Sequence, residues 1–195
     1  MPSSLSVTHP IPSTNRAQAA FKALSTHFRA ALEAACGTPC DVFGSRVGAA
    51  LADAAALVDV LPADVLLGSP ERYTRHVLAS DPTGRFAAAA LIWRPGQMTP
   101  VHGHHTWCAY RVVKGVLTEE HFRWDTAELR AISTGTRHRS AGAASFVGAG
   151  FEGIHRLANQ SSEIAVSLHV YGVHADALAT RVNHCVDTKL PRQAA

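Results

Sequence analysis

Beyond residue 84 the chain is cut into short segments rich in β-branched and aromatic residues, each closed by glycine or proline, and this spacing restricts the fold more than any other feature. Phe86 to Trp93, Trp107 to Val113, Val116 to Trp124, Ala144 to Val147 and Ile164 to Tyr171 have the length and composition of strands. Pro95-Gly96, Gly115 and Gly148 to Gly150 fall between them as turns. Strands this short and this regularly broken predict a small β-barrel or jelly roll.

The texture before residue 70 is different. From Ser13 to about Ala35, apolar residues recur at helical spacing (Ala20, Phe21, Leu24, Phe28, Leu32), with Ser13, Thr14 or Asn15 available as an N-cap. A second helix is expected from Arg46 to Val60, ended by Pro62. With 195 residues, 47% of them hydrophobic, the chain can bury one core and is short for two. The expectation is an all-β core with N-terminal helices: a helical segment over 1–70 packed on a barrel over 71–180, then a tail over 181–195.

Charge narrows the partners. A net charge of +3 arises from 18 basic and 15 acidic residues spread along the chain, without the clustering that tracks a phosphate backbone, so nucleic acid is not expected as a partner. No run of about 18 apolar residues occurs and the start is polar, which predicts a cytoplasmic protein without a membrane partner. Cys36, Cys40, Cys108 and Cys185 are expected as thiols there. Cys36-Gly-Thr-Pro-Cys40 lacks the C-x-x-C spacing of redox and zinc pairs, and no second pair follows.

Histidine carries the chemical signal, with 12 in the chain and His102, His104 and His105 within four positions. On an extended strand alternate residues share a face, so His102 and His104 can converge on one point while His105 turns away. His155 follows a glycine-rich run just before an expected strand, from which an adjacent antiparallel strand could bring it to the same point. Three imidazoles on one side of an ion leave the opposite positions open, as catalysis requires, and suit iron, zinc, copper or nickel. His105, His121, His138, His174 and His184 are assigned no role, and Trp93 and Trp107 are expected as core aromatics.

These residues resemble the two cupin motifs. The first is matched from Gly96 through His102, His104 and Cys108 to Gly115, with cysteine where a glutamate is usual. The second is degenerate, running through Gly142, Gly148, Gly150, His155 and Asn159. Without the glutamate, the pattern is similar to the thiol dioxygenases, specifically cysteine dioxygenase. Arg72-Tyr73-Thr74-Arg75, Ile154-His155-Arg156 and Ser167-Leu-His169-Val-Tyr171 resemble three further stretches of that family, in its order, over roughly residues 70 to 175.

The resemblance implies a ferrous ion on His102, His104 and His155, with a small thiol and dioxygen as reactants and cysteine sulfinic acid as product. Three neutral ligands would leave the ion its full charge and encourage the thiol to bind as thiolate. Arg75 would hold the substrate carboxylate, since its planar fork matches that group, with Tyr73 nearby. Related bacterial enzymes with glutamine at this position prefer 3-mercaptopropionate, so arginine favours cysteine by resemblance. Ser167, His169 and Tyr171 alternate along a strand and could form a relay ending in an O–H near the reacting groups. Cys108 matches the position at which animal members crosslink their tyrosine, so a thioether to Tyr171 is possible, although one residue is missing between ligands and cysteine. Two other readings remain at this level: a 3-mercaptopropionate dioxygenase, and a non-catalytic cupin that binds a metal or small ligand. Oligomeric state is not legible.

Overall fold

The computed structural model describes residues 7–188; residues 1–6 and 189–195, the outer ends of the expected helical segment and tail, lie outside the described residues. After a two-residue strand β1 (Val7–Thr8), helix α1 runs over Asn15–Cys36, with the Thr14 hydroxyl accepting the Ala17 N–H at 3.2 Å as its cap. Helix α2 (Cys40–Asp53) starts earlier than the expected Arg46, because Pro39 presets the first turn and its carbonyl accepts from Val42 and Phe43. The expected second helix ends in a different form, a 3-10 helix over Ala54–Val60, before Pro62 and the short α3 (Ala63–Leu67).

Nine strands follow these helices: β2 (Thr74–Ser80), β3 (Ala87–Trp93), β4 (His102–His104), β5 (Cys108–Lys114), β6 (Val116–Asp125), β7 (Arg130–Ser140), β8 (Ala144–Val147), β9 (Gly150–Ala158) and β10 (Ala165–Tyr171). A last strand, β11 (Asn183–Cys185), comes after a short 3-10 turn. They form a six-stranded sheet in the order β1-β2-β3-β10-β5-β8 and a five-stranded sheet in the order β11-β4-β9-β6-β7. This is the expected jelly-roll barrel with N-terminal helices.

At its centre the six-stranded sheet is buried on both faces, and its sequence alternates between two apolar environments rather than between apolar and polar. Ala88, Ala90 and Ile92 of β3, with Val166, Leu168 and Val170 of β10, pack under Phe28, Leu32, Val47, Leu51 and Leu57 of the helical layer. The small alanines let the helices lie close to the sheet. Their alternates, Ala87, Ala89, Leu91 and Trp93, point into the barrel against Leu117 and Leu157 of the opposite sheet. The helices thus cover an apolar face that would otherwise meet water.

Several segments differ from the expected pattern. β2 begins at Thr74, before the first expected strand, and carries Arg75 inward. β7 is an exposed edge strand whose mostly polar residues show no apolar alternation. His155 lies inside β9 rather than ahead of a strand. β11 pairs with β4, Asn183 opposite His104, so the chain returns to the barrel beyond residue 180, where the sequence suggests only a tail.

Candidate metal centre

His102 and His104 flank Gly103 on β4, and β9 runs antiparallel beside them with His155 directly opposite His102. The register then slips, so that His104 pairs with Gly150. Gly103 is required by this crossing: a Cβ there would meet the Gly150 carbonyl oxygen at 2.5 Å and the Phe151 ring at 2.8 Å. The three imidazole centroids are 5.1 Å (102 to 104), 4.8 Å (102 to 155) and 5.0 Å (104 to 155) apart. Their ligating nitrogens all lie within 4.8 Å of one another, and all three residues are buried.

Neighbouring groups set which nitrogen is free. His102 Nδ1 lies 2.9 Å from the Pro100 carbonyl, which can only accept, so Nδ1 carries the hydrogen and Nε2 keeps its lone pair. His155 Nδ1 likewise donates to Glu119 Oε1 at 2.7 Å. Among the described residues neither nitrogen of His104 has a hydrogen-bond partner, an orphaned state rare for buried polar atoms. Burial first, then the neighbouring imidazoles, holds His102 far below the usual histidine range and His104 at about 3. His102 and His104 therefore offer neutral nitrogen donors with bare lone pairs, His155 turns its Nε2 to the same point, and the set fits a divalent transition ion.

No sequence motif singles out Glu119. It sits on β6 opposite Leu157 and next to the residue opposite Arg156, and its other oxygen accepts Arg139 Nε at 2.6 Å from β7. Burial pushes its carboxyl up, but the hydrogen bonds and charges of His155 and Arg139 outweigh this and hold it at about 2. It is thus an anion that orients His155. The available signal is an acidic residue on β6 whose chain neighbours, Leu117 two positions back among them, belong to the barrel interior.

Arg75, Tyr73, Cys108, Ser167, His169 and Tyr171 are all buried, and Arg75, Cys108, His169 and Tyr171 line the same cleft as the three histidines, with Tyr73 and Ser167 set behind them. A narrow cleft is lined by Arg75, His102, His104, Cys108, His155 and Tyr171 among others. Arg75 donates to the Leu178 carbonyl at 2.7 Å, its guanidinium carbon lies 5.7 Å from the Tyr73 ring centre and 5.8 Å from that of Tyr171, and its Nε has no partner among the described residues. Among the described residues no carboxylate pairs with it, so a buried cation faces the cleft uncompensated.

On β10 the inward row is hydrogen-bonded in sequence: Ser167 Oγ to His169 Nε2 at 2.9 Å, and His169 Nδ1 to Tyr171 Oη at 3.1 Å. Cys108 of β5 lies directly across from Tyr171, and burial, the largest influence, pushes its thiol up to about 12. His105 and His184 stack on each other with centroids 4.7 Å apart, in exposed positions away from the cleft lining.

A family model for cysteine dioxygenase type I matches residues 66–178. Among solved structures, a protein of Thermus thermophilus is 21% identical over 54% of this chain and 87% of that one, with a TM-score of 0.43. A Cupin 2 conserved barrel domain protein from Salinispora arenicola is 20% identical over 51% of this chain and 74% of that one, with a TM-score of 0.39.

Proposed function

The chain belongs to the cysteine dioxygenase type I family, and on that premise we propose that it is an iron-dependent dioxygenase that converts the thiol of L-cysteine to a sulfinic acid with both atoms of O2. One observation carries this reading: three buried imidazoles stand beside a buried arginine that has no carboxylate partner among the described residues. A ferrous ion on His102, His104 and His155 would supply a coordination position for the thiolate and activate dioxygen toward sulfur.

The chain's own residues do the rest. Arg75 offers its free edge to the substrate carboxylate, an anion that would satisfy both its unpaired Nε and its buried charge. Tyr73 and Tyr171 flank the guanidinium, which limits the poses a substrate can take. Glu119 holds the His155 ring through its Nδ1 hydrogen, leaving Nε2 aimed into the cleft. His169 and Ser167 hold the Tyr171 phenol at the cleft wall. The wall excludes bulk water, so charge interactions inside act in a low-dielectric setting.

The cross-strand pairing of Cys108 with Tyr171 supports a thioether between them, formed by loss of one hydrogen from each with dioxygen as oxidant. Among the described residues no helix is long and apolar enough to cross a membrane.

The test is anaerobic loading with ferrous ion, followed by oxygen uptake with L-cysteine and with 3-mercaptopropionate in parallel. Uptake with cysteine and a product heavier by two oxygen atoms is expected. Uptake with 3-mercaptopropionate alone would replace the substrate, and none with either thiol would leave a binding protein. Peptide mapping of the same protein after turnover checks the thioether, whose expected sign is joined Cys108 and Tyr171 peptides lacking two hydrogens.

A further inference from the structure

The Ser167, His169, Tyr171 row does not end at Ser167. The indole nitrogen of Trp93 on β3 lies 2.9 Å from Ser167 Oγ, inside the barrel, where Trp93 is fully buried. We propose that Trp93 is a positioning residue for the reaction: its N–H sets the direction of every hydrogen bond in the row, so that the Tyr171 O–H is turned toward the cleft. The inference rests on the dioxygenase reading only for what that O–H does during turnover.

The reasoning is a count of hydrogens. An indole N–H can only donate, so the Trp93 bond fixes Ser167 Oγ as an acceptor on that side. Ser167 has one hydrogen of its own, and among the described residues its Oγ meets only Trp93 and His169. The one acceptor left to it is His169 Nε2. Burial, ahead of the Arg75 charge, keeps His169 neutral, so the ring carries a single hydrogen, which must then sit on Nδ1. From Nδ1 it is donated to Tyr171 Oη at 3.1 Å. The phenol now accepts from the ring, and its own hydrogen is released from that bond.

The opposite direction fails. With the hydrogen on His169 Nε2, Ser167 would accept twice and its O–H would be left buried without an acceptor, an arrangement folded proteins avoid. Tyr171 would then donate back to His169 Nδ1 and present only a lone pair to the cleft. Arg75, the charged neighbour of the phenol, is donor-only, so it cannot take the phenol hydrogen either. What remains for that hydrogen is the cleft.

Trp93 is well placed to hold this state. Its ring stacks on Tyr73 with centroids 4.4 Å apart, and its backbone carbonyl accepts the Asn159 amide at 2.8 Å. β3 also pairs with β10 along its whole length, with Leu91 opposite Ser167. The indole therefore has little freedom to withdraw its donor.

Long-range proton–nitrogen NMR on the zinc-loaded protein, a diamagnetic stand-in prepared without substrate, reads the His169 tautomer directly. The Nδ1-protonated form is expected. In Trp93→Phe, which keeps the ring stack and removes the N–H, the spectrum should show a mixture of tautomers, and in the ferrous protein kcat should fall by roughly tenfold with KM nearly unchanged. Ser167→Ala, a smaller change, should give the same tautomer mixture should the first variant not fold. An Nε2-protonated His169 in the unsubstituted protein overturns the proposal, as does a Trp93→Phe protein with an unchanged tautomer. Because the tautomer is read without any thiol, it is decided separately from whether cysteine is the substrate.

Discussion

Glu119 shows how one side chain can change the chemistry of another that it does not replace. The carboxylate common in cupin metal sites is absent from the motif, where Cys108 stands instead, yet an anion is still present one layer out, bonded to His155 Nδ1 at 2.7 Å. From there it makes the imidazole a better donor without itself joining the three histidines around the ion. Glu119→Gln should therefore weaken ferrous binding by about 10- to 100-fold, measured by competition with a chromophoric chelator, while the fold persists by circular dichroism. Unchanged affinity would reduce Glu119 to a partner of Arg139. The histidines can be read from the sequence because two of them share a short strand and one period of two residues joins them. Glu119 cannot, because its contact with His155 depends on the pairing of β6 with β9 across 36 positions. Trp93 reads as a core aromatic, and so it is; its hydrogen bond to Ser167 depends on strand neighbours that no local pattern reports.

At the scale of elements, the site is a consequence of how β4 and β9 cross. Three residues are enough for β4 because it is held from both sides, by β9 and by β11. The glycine between the two histidines is what lets β9 come so near. Gly103→Ala would force a methyl group onto the Gly150 carbonyl, and backbone cannot move aside as a flexible side-chain tip can. The expected cost is about 1–3 kcal/mol of stability, and the strand shift should lower the metal content of purified protein. Denaturant melts with metal analysis check both, and a variant that binds a full equivalent at unchanged stability would contradict the crossing geometry. Within the six-stranded sheet β3, β5, β8 and β10 are legible as short apolar runs closed by glycine or proline, whereas β1 and β2 lie ahead of the first expected strand. β7 is not, since an exposed edge needs no apolar alternation, and the slip between His102 and His104 in the β4–β9 register is a tertiary feature. The helices are legible in type, while their junction at Asp53 and Ala54 is not, because no breaker residue marks the change from α to 3-10 geometry.

For the whole molecule, burying so many imidazoles makes stability a function of pH. His102, His104 and His169 all have folded-state pKa values below the ordinary 6.5, chiefly because burial disfavours the charged ring. In the unfolded chain each takes up a proton near pH 6.5, whereas in the folded protein His104 does so only at about 3. Below 6.5 the unfolded state therefore binds more protons, and acid favours unfolding; above it both states are neutral at these positions and the dependence vanishes. Each such ring removes at most about 1.4 kcal/mol per pH unit within that window. Glu119, held at about 2 against an ordinary 4.5, acts in the same direction but only below pH 4.5. Melts of the metal-free protein should thus show a midpoint that is level from pH 8 to 7, falls from about 6.5 downward, and falls more steeply below 4.5. A bound divalent ion raises the whole curve by mass action, since it binds the folded state and the neutral rings alone. A midpoint that stayed level down to pH 5 in the metal-free protein would mean that these rings take up protons within the fold, which a buried cluster of bare nitrogen donors does not allow.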